Sequence, residues 1–224
     1  MLIDQLIRES LYYWPLENEE RIQEVKTKLW GYSSNVTNKQ GIQGRSLVNI
    51  NKNGYMILGT SHTEFNKIKL TKLHAQISIS FWLKYHSKND EKGQTFFSTG
   101  SRGYKIFQHN GVPQQIQFKV SWDDGFCMNA ISAPEGVWSH FVFMRSMTEL
   151  YIYFNGEEIL EYNSKVCEKG KNEPSNEQVV SGDPTTRELP NAELDEIIIW
   201  EKILNKAEVQ GLYHYYKGFI INFF

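Results

Sequence analysis

The sequence predicts an all-β fold, two antiparallel sheets stacked as a jelly-roll sandwich with a short C-terminal helix, and three observations lead there. Short apolar runs rich in β-branched and aromatic residues recur with turn residues between them, while sustained 3.6-residue periodicity is rare. Several runs alternate: in QIQFKVSW, Ile116, Phe118, Val120 and Trp122 share a face, and in ISISFWLKY so do Ile77, Ile79, Phe81 and Leu83, which reads as half-buried antiparallel strands. A chain of 224 residues with little helix buries such faces by stacking two sheets in one domain.

In chain order, residues 1–10 are read as an N-terminal extension with a short helix. Strands are predicted at 11–16, 44–50, 54–59, 77–85, 95–100, 104–109, 115–122, 138–145, 150–156, 177–182 and 193–200. Asn155-Gly156 closes a hairpin over 150–160, because both positions tolerate positive φ, and Asn110-Gly111 and Asn53-Gly54 suggest the same. The Asn-, Ser-, Gly- and Pro-rich segment 163–192 reads as long loops around the strand at 177–182. After Trp200, Asn205 and Glu208 form a capping-box pair, which predicts one or two helical turns with Leu204, Val209 and Leu212 facing inward. The domain then spans 11–216 and a tail 217–224, whose GFIINFF is either a buried final strand or a point of truncation.

With 24 basic residues scattered among 26 acidic ones, the chain lacks the basic footprint that nucleic-acid binding requires. The opening MLIDQLIRES carries charges where a signal peptide needs an apolar stretch, and no run approaches the ~20 apolar residues of a membrane span. As given, then, the chain reads as soluble, either cytosolic or a piece of a longer protein. Cys127 and Cys167 suit either one disulfide in an oxidising compartment or two cytosolic thiols. Asn35 heads the triplet NVT, an N-glycosylation acceptor in a secreted chain.

The order of LYYWPLE (11–17), GIQGRSL (41–47), SISFWLKY (78–85), GVWSHFVF running into LYIYFNGEEI (136–159) and LDEIIIWEKILNKAEVQGLY (194–213) resembles the laminin-G/pentraxin-like domains of the concanavalin A-like superfamily. Its most specific pieces are the W-S-H-F segment leading to the NG hairpin and the closing D-E-x-x-x-W strand with its short helix. YWPLEN (13–18) with LDEIIIWEKIL (194–204) is most similar to the pentraxin-like domain at the N-terminal end of some adhesion-class G-protein-coupled receptors. That resemblance implies an extracellular module, or a stand-alone relative of one.

It also raises three chemistries. The superfamily includes β-glucanases, and ELDE at 193–196 approaches their E-x-D-x-E pattern; alternation places Glu193, Asp195 and Ile197 on one face, with isoleucine where the second glutamate belongs. Retaining hydrolysis needs two carboxyl groups about 5–5.5 Å apart, so no catalytic residue is assigned, and a degenerate glycosidase stays the alternative reading. Pentraxin and laminin-G domains often bind calcium, which needs six to eight oxygens; Asp123, Asp124, Asp183 and Asp195 are the candidate ligands, with metal-free surface acids the competing reading. The histidines, His140 among them, show no zinc spacing, and His140 reads as a packed or hydrogen-bonded sheet residue. Trp30, Tyr104 and Trp122 fall near predicted strand ends, where an exposed ring stacks on a sugar. The function expected is a non-catalytic extracellular recognition module for a protein or glycan partner, with a structural spacer as a further alternative.

Overall fold

The computed structural model describes residues 3–18, 22–25, 31–49, 54–60, 76–86, 93–99, 103–109, 114–122, 125–146, 149–159, 178–182 and 190–221. Among them are two helices and fifteen strands. The elements run α1 (Ile3–Arg8), β1 (Tyr12–Trp14), β2 (Tyr32–Ser34), β3 (Val36–Gln40), β4 (Arg45–Asn49), β5 (Tyr55–Thr60), β6 (Ile77–Tyr85), β7 (Gln94–Ser98) and β8 (Tyr104–Gln108). They continue with β9 (Gln115–Trp122), β10 (Gly125–Ser132), β11 (Ser139–Arg145), β12 (Leu150–Phe154), β13 (Glu157–Glu158), β14 (Gln178–Ser181), β15 (Ala192–Trp200) and α2 (Lys206–Ile221).

The strands make two antiparallel sheets, as expected for a sandwich. One is eight-stranded, in the order β13-β12-β11-β6-β15-β4-β3 with β1 also on β15; the other is seven-stranded, in the order β10-β9-β8-β7-β14-β5-β2. Between them lies the main core, where Phe81, Phe141 and Phe143 stack beneath Phe118 of the facing sheet. The predicted inward sets Ile77, Ile79, Phe81, Leu83 and Ile116, Phe118, Val120 all lie in it.

A second apolar cluster lies on the far side of the eight-stranded sheet, where α1 and α2 cover Trp82, Val142, Met144, Ile198 and Trp200. This third layer corrects the half-buried reading of ISISFWLKY: in β6 every residue except Lys84 is buried, because helices cover the face expected to meet water. The small polar residues on that face have work there. Ser78 Oγ donates to the Lys202 carbonyl at 2.7 Å and accepts from Leu204 N at 3.1 Å, which pins the chain leaving β15. Trp200 Nε1 donates to the Leu6 carbonyl at 2.9 Å and holds α1 down.

The hairpin at 150–160 forms as expected, with Asn155 at φ 50° and Gly156 at φ 83° between β12 and β13. The capping box closes in both directions: Glu208 N donates to Asn205 Oδ1 at 3.0 Å, and Asn205 N donates to Glu208 Oε2 at 2.8 Å. The helix it starts runs 16 residues rather than one or two turns, so the tail 217–224 enters as helix as far as Ile221, not as a final strand. Gly211 lets the two helices touch, since a Cβ there would sit 2.6 Å from Ile3 Cδ1. Asn205→Ala is expected to cost about 1 kcal/mol, the usual value of an N-cap, and thermal unfolding of the purified chain should show it as a drop of about 2–4 °C.

Two regions differ from expectation. β10 and the β2–β3 pair are strands where none was predicted. Asn110-Gly111 and Asn53 lie outside the described residues.

Candidate functional site

The acids of the closing strand come to a place that alternation alone does not give. Along β15, Leu194, Ile197 and Ile199 face the inter-sheet core, while Ile198 and Trp200 face the helices. The register against β6 slips between Asp195, opposite Trp82, and Ile198, opposite Ser80, and Glu196 takes φ 52°. This bulge sets Asp195 and Glu196 together on the helix side and turns Ile197 to the core. The expected sharing of one face by Asp195 and Ile197 is therefore overturned.

On its other edge β15 changes partners at the same point. β4 pairs with Glu193 and Leu194, and β1 pairs with Ile197 to Ile199. The loop before β4 fills the gap: Ile42 N donates to Asp195 Oδ2 at 2.8 Å, and Glu196 N donates to Asp195 Oδ1 at 3.0 Å. Gly41 is required for this approach, because a Cβ there would overlap Asp195 Oδ2 and come within 2.8 Å of the Arg45 backbone. From β1, the Tyr13 hydroxyl donates to Glu196 Oε2 at 2.6 Å. Tyr216 of α2 brings a second phenol toward the same carboxyl, short of hydrogen-bonding geometry.

Burial governs the electrostatics of this pair. It pushes Asp195 up to about 9, with the neighbouring Glu196 charge adding to the rise and the Ile42 amide opposing it. Burial likewise pushes Glu196 up to about 7, against the Tyr13 hydrogen bond. The Tyr13 and Tyr216 phenols rise for the same first reason.

Chemically, the pair does not form a glycosidase site. Asp195 is 0% and Glu196 1% exposed, both roofed by helix and loop, whereas hydrolysis needs carboxyls flanking a bond that a sugar can occupy. Glu193 turns to Lys84, with Nζ 3.2 Å from its carboxylate. Asp195 is also corrected as a calcium ligand, since its oxygens accept backbone amides in a buried setting. Among the described residues no group of three His, Cys, Asp or Glu is arranged to hold a metal ion. His140 is the packed residue expected: its Nε2 lies 2.8 Å from Ser80 Oγ, its ring lies 5.1 Å from that of Trp82, and burial lowers its pKa to about 3.

The outer face of the seven-stranded sheet is different in kind. In register across β8, β9 and β10, Lys105 stands opposite Lys119 and Lys119 opposite Met128, while Phe107 stands opposite Gln117. Lys119 Nζ lies 4.4 Å above the Phe126 ring and Lys105 Nζ 5.0 Å above that of Phe107. Phe107 and Gln117 are buried, but Phe126 is 61% exposed, an unusual position for a large aromatic residue. Sequence reasoning missed Phe126 because it missed β10; pairing the strand after Asp123-Asp124 with β9 would have put Cys127 inside and Phe126 outside.

Tyr104 is the predicted aromatic that the fold places elsewhere. It faces inward from β8, is fully buried, and its hydroxyl accepts from Arg145 Nη1 at 3.3 Å, so no sugar can stack on it. Trp122 ends β9 with its side chain outside the described residues, as Trp30, Asp123, Asp124, Asp183 and Cys167 are entirely. Cys127 is buried in β10 against the inter-sheet core. Asn35 is exposed. No helix among the described residues is long and apolar enough to cross a membrane.

Comparison with known proteins bears on this architecture. A family model described as the concanavalin A-like lectin/glucanases superfamily matches residues 58–210. A search of curated proteins found no match. Among solved structures, the binding domain of botulinum neurotoxin DC in complex with SialylT is 15% identical with a TM-score of 0.73, over 93% of this chain and 52% of that one. The binding domain of Paraclostridial Mosquitocidal Protein 1 is 16% identical with a TM-score of 0.72, over 95% of this chain and 53% of that one. The neurotoxin DC domain in complex with rat synaptotagmin II is 14% identical with a TM-score of 0.71, over 96% of this chain and 52% of that one. The chain thus spans about half the length of the solved structures it matches, and at these identities the likeness is one of fold.

Proposed function

The chain belongs to the concanavalin A-like lectin/glucanases superfamily, and from that premise we propose that it is a non-catalytic recognition module that binds a glycan or protein partner through the outer face of its seven-stranded sheet. One observation carries the choice of face. The middle of the eight-stranded sheet is covered by α1 and α2, whereas the seven-stranded sheet presents the exposed ring of Phe126 with Lys119 above it. An aromatic surface beside a cation is the chemistry that stacks on a sugar ring or anchors a protein contact. The solved neighbours support a binding role, being named as binding domains, two of them in complex with SialylT and with rat synaptotagmin II.

We further propose an extracellular setting, as the ectodomain module of an adhesion-type receptor, on the stretches YWPLEN and LDEIIIWEKIL. In that compartment Cys127 and Cys167 pair as a disulfide. Fold alone assigns no ligand, so the test begins with a glycan array and a cell-surface protein screen on the purified chain. For whichever ligand scores, Phe126→Ala and Lys119→Ala are each expected to weaken binding about tenfold or more, roughly 1.4 kcal/mol. Full binding by both variants would remove this face from the proposal, and release of reducing sugar from any glycan that binds would restore the hydrolase reading.

A further inference from the structure

Asn35 stands where the chain leaves one sheet for the other. It is the single residue between β2, the last strand of the seven-stranded sheet, and β3, the last strand of the eight-stranded sheet. Its backbone takes φ 53°, a left-handed conformation that asparagine tolerates better than other side-chain-bearing residues, and its side chain is exposed. Val36 packs against the inter-sheet core, and β3 pairs with β4 from Val36 to Gln40, so the corner is anchored on both sides of the turn. Ser33 and Ser34 pair with Met56 and Tyr55 in the other sheet. Among the described residues β2 and β3 are the end strands of their sheets, so the two sheet edges meet at this residue. An open edge presents unpaired N–H and C=O groups that template pairing with another chain, and folds commonly cover or charge such edges.

We propose that Asn35 carries an N-linked glycan, attached through the Asn35-Val36-Thr37 sequon, and that this glycan covers the joint edge made by β2 and β3. Attachment forms a bond between Asn35 Nδ2 and the anomeric carbon of a lipid-linked oligosaccharide pyrophosphate. The bond from that carbon to the pyrophosphate oxygen breaks, the lipid pyrophosphate leaves with the electron pair, and one amide proton passes to the transferase. A polar, bulky group at this corner occupies the space that an approaching strand would need, on both sheets at once. The inference rests on the extracellular setting proposed above and not on the Phe126 surface.

The test translates the full chain behind a cleavable signal sequence in the presence of microsomes. Signal cleavage and protease protection report translocation. The wild-type chain and Thr37→Ser are expected to show a single shift in mobility removed by peptide N-glycosidase, while Thr37→Val and Asn35→Gly show none. Thr37→Val keeps a β-branched residue in the strand and Asn35→Gly suits the positive φ, so both sequon-breaking variants should fold. A translocated wild-type chain without the shift overturns the attachment site. Light scattering then compares the glycosylated chain with the enzymatically deglycosylated one: faster self-association after glycan removal is the expected result, and equal rates overturn the covering role. Ligand binding by Asn35→Gly separates the two proposals, because loss of the glycan leaves recognition through Phe126 intact.

Discussion

At pH 8, Glu196→Gln is expected to raise the midpoint of thermal unfolding by about 4–8 °C, on the order of 2 kcal/mol, and at pH 5 to raise it by clearly less. The physical reason is the burial of two carboxyls side by side. In the folded chain Asp195 is raised to about 9 and Glu196 to about 7, both above their values in an unfolded chain, near 4. The folded state consequently holds these protons more tightly than the unfolded state does. Their contribution to stability is fully present below about pH 4 and is lost as pH rises, first through about 7 for Glu196 and then through about 9 for Asp195.

Among the described residues, the groups facing the pair include no side-chain cation to reverse that trend: Tyr13 from β1, Tyr215 and Tyr216 from α2, and Glu17 after β1. Glutamine keeps an oxygen for the Tyr13 hydroxyl and removes the charge. Asp195→Asn should instead destabilise at every pH, because its amide nitrogen would meet one of the two backbone donors, Ile42 N or Glu196 N, that the carboxyl oxygens now accept. Calorimetry of the three proteins at both pH values checks this. An advantage for Glu196→Gln that is the same at pH 5 and pH 8 would show that the Glu196 charge is not what burial penalises.

Trp200→Ala is expected to cost about 4 kcal/mol, enough to lower the unfolding midpoint by roughly 10 °C. The ring is fully buried between the eight-stranded sheet and the helices, so its removal leaves a hole bordered by elements that cannot close on it independently. It also removes the indole donor to the Leu6 carbonyl. Trp200→Phe isolates that second loss: most of the ring volume stays, the bond goes, and about 1 kcal/mol is expected in addition to a modest volume change. Hydrogen exchange at the amides of residues 3–11 should quicken strongly in the alanine variant, because α1 has only six residues and depends on this anchor. An alanine variant within 1 kcal/mol of wild type would mean that α1 and α2 hold together without it.

Much of this fold was legible from local chemistry. The Asn155-Gly156 hairpin, the Asn205 and Glu208 capping box and the inward rows of β6 and β9 all depend on neighbours in sequence or on a period of two, and all formed as expected. β10 escaped because Met128, Asn129 and Ala130 are poor strand formers, and the strand exists by pairing with β9 along Gln115 to Trp122. With it went Phe126, the most exposed aromatic of the candidate surface. Tyr104 was misplaced for the converse reason: it lies near a strand end in sequence, yet the register with Val120 turns it into the core.

The closing strand divides the two kinds of information most clearly. By itself the sequence determined that 193–200 is a core strand, that isoleucine stands where a second catalytic glutamate would be, and that a capped helix follows. Only the tertiary structure decided the fate of the acids. β15 exchanges β4 for β1 beside Asp195 and slips its register on β6 at the same step, so Glu196 joins Asp195 under the helices. Those events involve partners more than a hundred residues away in the chain, and no pattern of adjacent residues encodes them. Burial there, not proximity in sequence, makes the pair a proton-linked element of stability rather than a site for chemistry.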